Sequence, residues 1–364
     1  MNFKSNKVIT NRFTQVSLLI AGLLVAIGLW SCDSDNEEGN ISYYKQVNLV
    51  ADQASQGAAY LDTNLVNPWG IAYGPQTYFW IADNHSGKST VYDGTGTAIA
   101  LVVTIPPPAD SPQGTIAAPT GIVYNNSSDF MGDKFIFDTE DGTISGWQTG
   151  ADATLRATVP DAVYKGLAIG TNTLGDLLIY ATNFAAGTVD IFDDSYEEIS
   201  IGPNAFKDPT LPAGFNPFGI QNIGNKIYVA FAERIGQDTD ETAGPGLGYV
   251  SVFNTDGTFE KRLVSGGVLN APWGLAKAPA DFGPFSGALL VGNFGDGRIS
   301  AFDIDTGSFL GQLGDSKGNP ITIDGLWGLS FGNDLDAGKA NILYFTAGID
   351  DENHGLFGSL EFVP

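Results

Sequence analysis

Asn67-Pro68-Trp69-Gly70-Ile71 is the first copy of a short motif in which a turn residue, often Pro, and an aromatic precede Gly and an apolar strand. The motif returns five more times, and its glycines are Gly70, Gly121, Gly166, Gly219, Gly274 and Gly328. Consecutive glycines lie 45 to 55 residues apart, which is about the length of one propeller blade. The repeat therefore predicts an all-β, six-bladed β-propeller.

The remainder of each repeat predicts three further strands. In the first repeat, residues 79–84 and 89–93 form apolar strands and residues 98–105 form the outer one. Tight turns such as Asn254-Thr255-Asp256-Gly257 have the composition of hairpin loops. No segment after residue 40 has a helical period, so we expect four-stranded blades and no helix of consequence.

The two ends of the repeat region complement each other. The last repeat stops after its third strand at residues 358–363, and a spare strand-like segment at residues 43–50 precedes the first repeat. If the spare segment is the outer strand of the last blade, it closes the ring and covers an exposed strand edge. We therefore expect an N-terminal strand to complete the last blade of a propeller that spans residues 43–364.

The N-terminus has the features of an export signal. Lys4, Lys7 and Arg12 precede an apolar run at residues 16–29, which has the length of a signal-peptide core and is shorter than a spanning helix. Leu29-Trp30-Ser31-Cys32 resembles a bacterial lipobox, and Cys32 is the only cysteine of the chain. Residues 1–31 are therefore predicted to be a lipoprotein signal peptide and Cys32 to be lipidated. The alternative is a simple membrane anchor with an incidental cysteine.

An acidic, polar segment follows Cys32. Residues 33–40 lack apolar side chains, so we expect a disordered tether over residues 32–42. This segment resembles the surface-export signal of Bacteroidota lipoproteins. The sequence thus predicts an exported lipoprotein at the outer membrane or cell surface of a Gram-negative bacterium, which contacts the membrane through its lipid anchor only.

The charge balance excludes one class of partner. The chain has 17 Lys and Arg residues against 41 Asp and Glu residues, for a net charge of −24. A protein this acidic is repelled by the phosphates of nucleic acids. We therefore exclude nucleic-acid binding.

The repeat also resembles a known group of proteins. Its pattern, Pro-x-Gly-Ile followed by strands that end in Asp, is similar to the six-bladed propellers of the NHL-repeat and SMP-30/gluconolactonase type. Residues 341–358 resemble an uncharacterised family of exported bacterial propellers. The resemblance covers residues 43–364 and implies the fold, whereas propellers carry many different activities.

The two histidines of the chain are candidate site residues. His85 and His354 both follow a predicted second strand, in the first and last blades, which become neighbours when the ring closes. Asp83 and Asn84 precede His85, and a cluster of carboxylates precedes His354. Imidazoles near carboxylates suit proton transfer or divalent-cation binding. The alternative is a pair of solvent-exposed loop histidines.

Aromatic residues are predicted on the same face of the propeller. A ring of aromatics beside carboxylates and amides is typical of a small-molecule or sugar site. The alternative is that each aromatic packs between adjacent blades. The additional ligand-binding candidates are Trp69, Trp273, Trp327 and Glu233.

Calcium is the cofactor that the resemblance implies. In SMP-30-like propellers, carboxylate and amide side chains near the axis hold Ca²⁺. The metal-ligand candidates here are Asn67, Asn216, Asp324, Asp350 and Glu352. The Glu-Gly-Pro motif of that family is missing, because this chain has Val66-Asn67-Pro68 at the corresponding place. The sequence therefore leaves open whether the protein binds a divalent cation such as Ca²⁺, and it establishes no cofactor.

Two functions follow from these features. The first is a surface-anchored propeller that binds an extracellular glycan, peptide or small molecule on the histidine-bearing face. The second is a metal-assisted hydrolase or lyase that acts on a small extracellular substrate. A long acidic insertion in the fourth blade, residues 232–249, is expected to be a mobile loop. The sequence leaves open whether the protein is an enzyme.

Overall fold

The computed structural model describes residues 42–364. The predicted signal peptide, Cys32 and almost all of the predicted tether lie outside the described residues. Within residues 42–364, no helix is long and apolar enough to cross a membrane.

The described chain forms six sheets arranged as blades, antiparallel except for one short parallel pair in the last blade, which confirms the predicted six-bladed propeller. Two strands, β1 (Tyr43–Ala51) and β2 (Tyr60–Leu61), precede the first blade. Blade 1 contains β3 (Pro68–Ala72), β4 (Phe79–Asp83), β5 (Lys88–Tyr92) and β6 (Ala98–Thr104). Blade 2 contains β7 (Pro119–Tyr124), β8 (Phe135–Thr139), β9 (Thr143–Trp147) and β10 (Thr154–Thr158).

The middle blades have the same order from the axis outward. Blade 3 contains β11 (Tyr164–Thr171), β12 (Leu177–Asn183), β13 (Thr188–Phe192) and a two-residue outer strand, β14 (Glu198–Ile199). Blade 4 contains β15 (Phe215–Ile223), β16 (Lys226–Glu233), β17 (Tyr249–Asn254) and β18 (Phe259–Ser265). Blade 5 contains β19 (Pro272–Lys277), β20 (Leu289–Asn293), β21 (Ile299–Phe302) and β22 (Phe309–Gln312).

Blade 6 closes the ring as predicted. It contains β23 (Leu326–Phe331), β24 (Leu343–Ile349) and β25 (His354–Val363), and β1 pairs antiparallel with β25 as the outer strand. The pairing runs from Tyr43 opposite Val363 to Ala51 opposite Leu356. The short strand β2 adds a fifth member in parallel to β1. Four 3₁₀ turns are the helical segments of the described chain: Ala54–Gln56, Asn84–Ser86, Phe130–Gly132 and Gly283–Phe285.

The glycine of the repeated motif has a packing cause. A Cβ atom on Gly70 would lie 2.5 Å from the carbonyl oxygen of Thr120 in the next inner strand. A Cβ atom on Gly274 would lie 2.5 Å from the carbonyl oxygen of Trp327. Because the six inner strands converge at the axis, only glycine allows their backbones to come this close. The apolar core fills the spaces between adjacent blades.

Candidate functional site

A polar cavity lies at the propeller axis, on the face that carries the loops after the second strands. We call this the upper face and the cavity the axial pocket. Its volume is about 410 Å³. Its lining residues are Trp69, His85, Glu140, Val163, Lys165, Thr239, Asp240, Glu241, Trp327, Asp351 and Glu352. Loops from at least four blades thus meet at one place on the predicted face.

Buried aromatic side chains close the axis beneath the pocket. The rings of Trp69 and Trp327 stack with centroids 3.5 Å apart, and Trp273 meets both of them edge-on. We call this cluster the aromatic plug; its members are Trp69, Phe184, Phe218, Trp273, Phe294 and Trp327. Three tryptophans were predicted to bind a ligand. Trp69 and Trp327 line the axial pocket, whereas Trp273 packs within the plug. The aromatics therefore pack between blades and also supply the pocket floor.

Lys165 is the single lysine of the pocket, and its side chain is almost fully buried. Its Nζ lies 2.5 Å from Oε1 of Glu140 and 3.1 Å from Oδ1 of Asp240, and it stands 5.2 Å from the ring centre of Trp69. Burial alone would lower the pKa of Lys165, but the carboxylates of Glu140, Glu241 and Asp240 together raise it above its ordinary value. Lys165 therefore stays charged and holds the surrounding carboxylates in place.

Two pocket carboxyl groups have raised pKa values. Burial raises the pKa of Glu241 to about 7, although the charge of Lys165 opposes this. Burial also raises the pKa of Glu352, and a hydrogen bond from Asn67 opposes the shift. The pocket therefore contains a carboxyl group that gains and loses a proton near neutral pH.

Buried amides connect the plug to the carboxylates above it. Trp327 donates its indole N–H to Oδ1 of Asn67 at 3.1 Å, and Asn67 donates to Oε2 of Glu352 at 2.7 Å. Asn84 donates to Oε2 of Glu140 at 2.9 Å. Asn67 and Asn84 are both buried. These amides orient the carboxylates, so the rim of the pocket is positioned from below.

The two histidines lie in different surroundings. His85 is exposed and lines the axial pocket. His354 begins β25, and its Nδ1 lies 2.7 Å from Oδ2 of Asp52, just beyond the end of β1. His354 does not line the axial pocket. Ring closure does make blades 1 and 6 neighbours, but the turn before His354 directs Glu352 toward the axis and His354 toward the outer strand.

The remaining ligand-binding candidates lie outside the pocket lining. Asp83 ends β4 and is fully buried, and its two carboxylate oxygens have no hydrogen-bond partner within residues 42–364. Burial raises the pKa of Asp83 well above its ordinary value. Glu233 ends β16, half-buried, and its backbone bridges to Thr242 in the insertion.

The metal-ligand candidates are divided among three places. Asn67 and Glu352 are hydrogen-bonded to each other at the pocket. Asp324 accepts a hydrogen bond from the backbone N–H of Asp350. Asn216 donates to the carbonyl oxygen of Phe184. Within residues 42–364, no group of three or more His, Cys, Asp or Glu side chains has the geometry to hold a metal ion. The five candidates therefore do not converge on one place, and calcium binding stays a prediction.

Comparison with known proteins places the chain among viral relatives. No known protein-family model matches it. It is 33% identical over 334 residues to the uncharacterized protein R648 of Acanthamoeba polyphaga mimivirus, covering 86% of this chain and 80% of that protein. It is 34% identical over 338 residues to the uncharacterized protein L690 of the same virus, covering 86% and 85%. The chain belongs to the family of R648 and L690.

Solved structures similar to this member of the R648 and L690 family share its fold. A streptogramin B lyase matches with a TM-score of 0.52 and 13% identity over 88% of this chain and 98% of that one. A glucose dehydrogenase matches with a TM-score of 0.52 and 14% identity over 86% and 98%. These matches confirm the propeller, while the narrower assignment to the NHL-repeat and SMP-30 type stays a prediction. Export by a Gram-negative bacterium also stays a prediction, since the relatives above are viral.

Several residues of the pocket lining were not among the sequence candidates, and four of them form the charged cluster around the buried lysine: Glu140, Lys165, Asp240 and Glu241. One signal was visible, because Lys165 occupies the position before the motif glycine, where four of the other five repeats have an aromatic. The second signal was the acidic run at residues 238–241, in the insertion of blade 4. The insertion reaches the axis and places Asp240 and Glu241 beside Lys165.

Proposed function

We propose that this chain is an exported, lipid-anchored propeller that binds a small polar extracellular ligand in the axial pocket. The observation that carries the proposal is the buried Lys165 within a ring of carboxylates above the indole rings of Trp69 and Trp327. A cavity of about 410 Å³ is of the size that small-molecule sites have, roughly 300–1,000 Å³.

The charges of the pocket favour one class of ligand. Five carboxyl groups line it (Glu140, Asp240, Glu241, Asp351 and Glu352) against the single ammonium of Lys165. The ammonium is already engaged with Glu140 and Asp240, so the lining has more carboxyl groups than this one cation pairs with. An excess of carboxylate acceptors favours a ligand that carries an amine or several hydroxyl groups, such as an amino sugar. The same potential disfavours acidic ligands.

Calorimetric titration with three matched monosaccharides tests this proposal. We expect glucosamine to bind more tightly than glucose, and glucuronic acid not to bind. Binding should change tryptophan emission, since Trp69 and Trp327 form the floor. Glu352→Gln should weaken binding, whereas Glu361→Gln, an exposed glutamate on β25 outside the pocket, should not. Equal affinity for the three sugars, or none for any of them, would contradict the proposal.

The lipid anchor has its own test. The support is the apolar run at residues 16–29 and the lipobox-like Leu29-Trp30-Ser31-Cys32. In a Gram-negative host that is fed a fatty-acid probe, the wild-type protein should be labelled and Cys32→Ser should not. Equal labelling of the two proteins would show that Cys32 is not the acceptor.

An acid–base lyase or hydrolase is the second candidate. The specific observation in its favour is Glu241, whose pKa of about 7 suits a group that transfers protons at neutral pH. His85 lines the same pocket. For any substrate found by screening, Glu241→Gln should abolish turnover and leave binding in place, and the pH profile of kcat should have a limb near 7. Turnover that persists in Glu241→Gln would exclude this role.

A further inference from the structure

A second axial cavity opens on the opposite, lower face of the propeller. It lies among the C-terminal ends of the inner strands, and its volume is about 570 Å³. We call it the lower funnel. It is independent of the axial pocket, since the aromatic plug lies between the two and leaves only a cavity of about 40 Å³ along the axis.

Apolar side chains form a large part of the wall of the lower funnel, beside polar groups. Half-buried side chains from five blades line it: Ile71, Tyr73, Tyr124, Ile169, Ile223 and Phe331. Deeper in, the buried side chains of Ile122, Leu275 and Leu329 close the floor. When an apolar ligand displaces water from apolar surface of this kind, the free energy of the system falls.

The rim of the funnel has one charged residue. Among the residues that line it, Lys277 is the only one with a charge. Lys277 ends β19 and is exposed, and it forms no salt bridge within residues 42–364. The chain has 41 acidic residues and only 17 basic ones, so a lysine with no salt-bridge partner among the described residues, in a cavity lined by no carboxylate, departs from the general pattern of its charges.

Polar side chains beside Lys277 add hydrogen-bonding capacity. Gln221 and Asn222 line the same cavity. The side-chain N–H of Asn222 donates a hydrogen bond to the carbonyl oxygen of Ile169 at 2.8 Å. Its backbone N–H donates one to Oε1 of Gln221 at 3.1 Å. These bonds engage the Gln221 side-chain oxygen and leave its amide N–H groups for an acceptor within the funnel. The funnel therefore offers an ammonium and amide donors, which are the groups that bind a carboxylate.

We propose that the lower funnel binds a single-chain aliphatic carboxylate, with its alkyl chain against the apolar side chains of the wall and its carboxylate at Lys277. A cavity with apolar side chains in its wall and one cation among its lining residues matches the two ends of such a molecule. The volume of about 570 Å³ lies within the roughly 300–1,000 Å³ of small-molecule sites.

Titration of the full-length protein with charge-matched amphiphiles tests the proposal. Dodecanoate and dodecyltrimethylammonium have the same chain and opposite head groups, and each is added below its micelle-forming concentration. We expect one molecule of dodecanoate to bind per chain and dodecyltrimethylammonium to bind at least about ten-fold more weakly. Equal affinity for the two amphiphiles, or no binding of dodecanoate, would overturn the proposal.

Two lysine variants locate the bound carboxylate. Lys277→Glu should weaken dodecanoate binding at least about ten-fold, and Ile223→Ser should weaken it through the chain. Lys317→Glu is the matched control, because Lys317 is exposed and lies outside the funnel lining. If Lys277→Glu and Lys317→Glu bind dodecanoate equally well, the site is elsewhere and the proposal fails. Glucosamine binding in the axial pocket should be the same in all three variants, so the two proposals fail separately.

Discussion

Asp138 illustrates how a single buried carboxyl group affects stability. Its Oδ1 accepts hydrogen bonds from the Thr120 hydroxyl and the Gly121 N–H, while Oδ2 has no partner within residues 42–364. Burial raises the pKa of Asp138 to about 7. The folded state therefore prefers the protonated acid, and the stability that this preference provides is lost as the pH rises through about 7.

Removing this charge should stabilise the protein at high pH. We expect Asp138→Asn to raise the free energy of unfolding by about 2–4 kcal/mol at pH 8 and to change it little at pH 4, where the carboxyl group is protonated. Urea unfolding across this pH range measures the effect. Asp110→Asn, which changes an exposed carboxylate, should behave as wild type. If the wild type and Asp138→Asn have the same free energy of unfolding at pH 8, the raised pKa of Asp138 is refuted.

At the scale of elements, β1 is the strand that closes the ring. Tyr44 on β1 is 4% exposed, and its hydroxyl donates to the carbonyl oxygen of Phe282 in blade 5. Its ring packs against Phe282 and Phe362 at centroid distances of 4.9 and 5.6 Å. β1 therefore covers the edge of β25 and also joins blade 6 to blade 5.

Truncating this contact should destabilise the whole propeller. Tyr44→Ala removes a buried aromatic ring and should lower the free energy of unfolding by about 3–5 kcal/mol. The neighbouring Tyr43→Ala, on the half-buried side of the same strand, should cost less than about 1 kcal/mol. Deleting residues 43–51 should expose the edge of β25 and cause aggregation. If thermal melting shows equal stability for the two tyrosine variants, β1 does not close the fold.

At the scale of the whole molecule, the charge imbalance opposes compactness. The net charge is −24, and few ion pairs of Lys or Arg offset it within residues 42–364: Arg156–Asp133, Lys165 with Glu140 and Asp240, Lys226–Glu260, and Arg262–Asp208. Raising the ionic strength from about 10 mM to about 150 mM shortens the screening length from roughly 30 Å to 8 Å. Because this weakens the repulsion between carboxylates, Tm should rise. A Tm that falls with added NaCl would show that attractive pairs dominate.

The sequence by itself determined the number of blades and the way the ring closes. The number of blades follows from the glycine that each inner strand needs where it comes within van der Waals contact of the next, as at Gly70. The closure of the ring follows from the need for one strand to cover each open sheet edge. The glycines recur at a regular spacing and the spare strand stands at one end of the repeats, so both can be recognised from the sequence. The sequence also allowed two interpretations of the aromatics before the glycines, packing between blades or lining a ligand site. Trp69 and Trp327 do both.

Only the tertiary structure decided which side chains share the axial pocket. His85 and His354 occupy equivalent loops in sequence, yet one lines the pocket and the other pairs with Asp52. Asp240 reaches Lys165 across 75 residues through an insertion that has no counterpart in the other blades. The direction of a single turn and the path of one insertion set these distances. Neither leaves a periodic pattern, because each is decided by packing against strands from other blades.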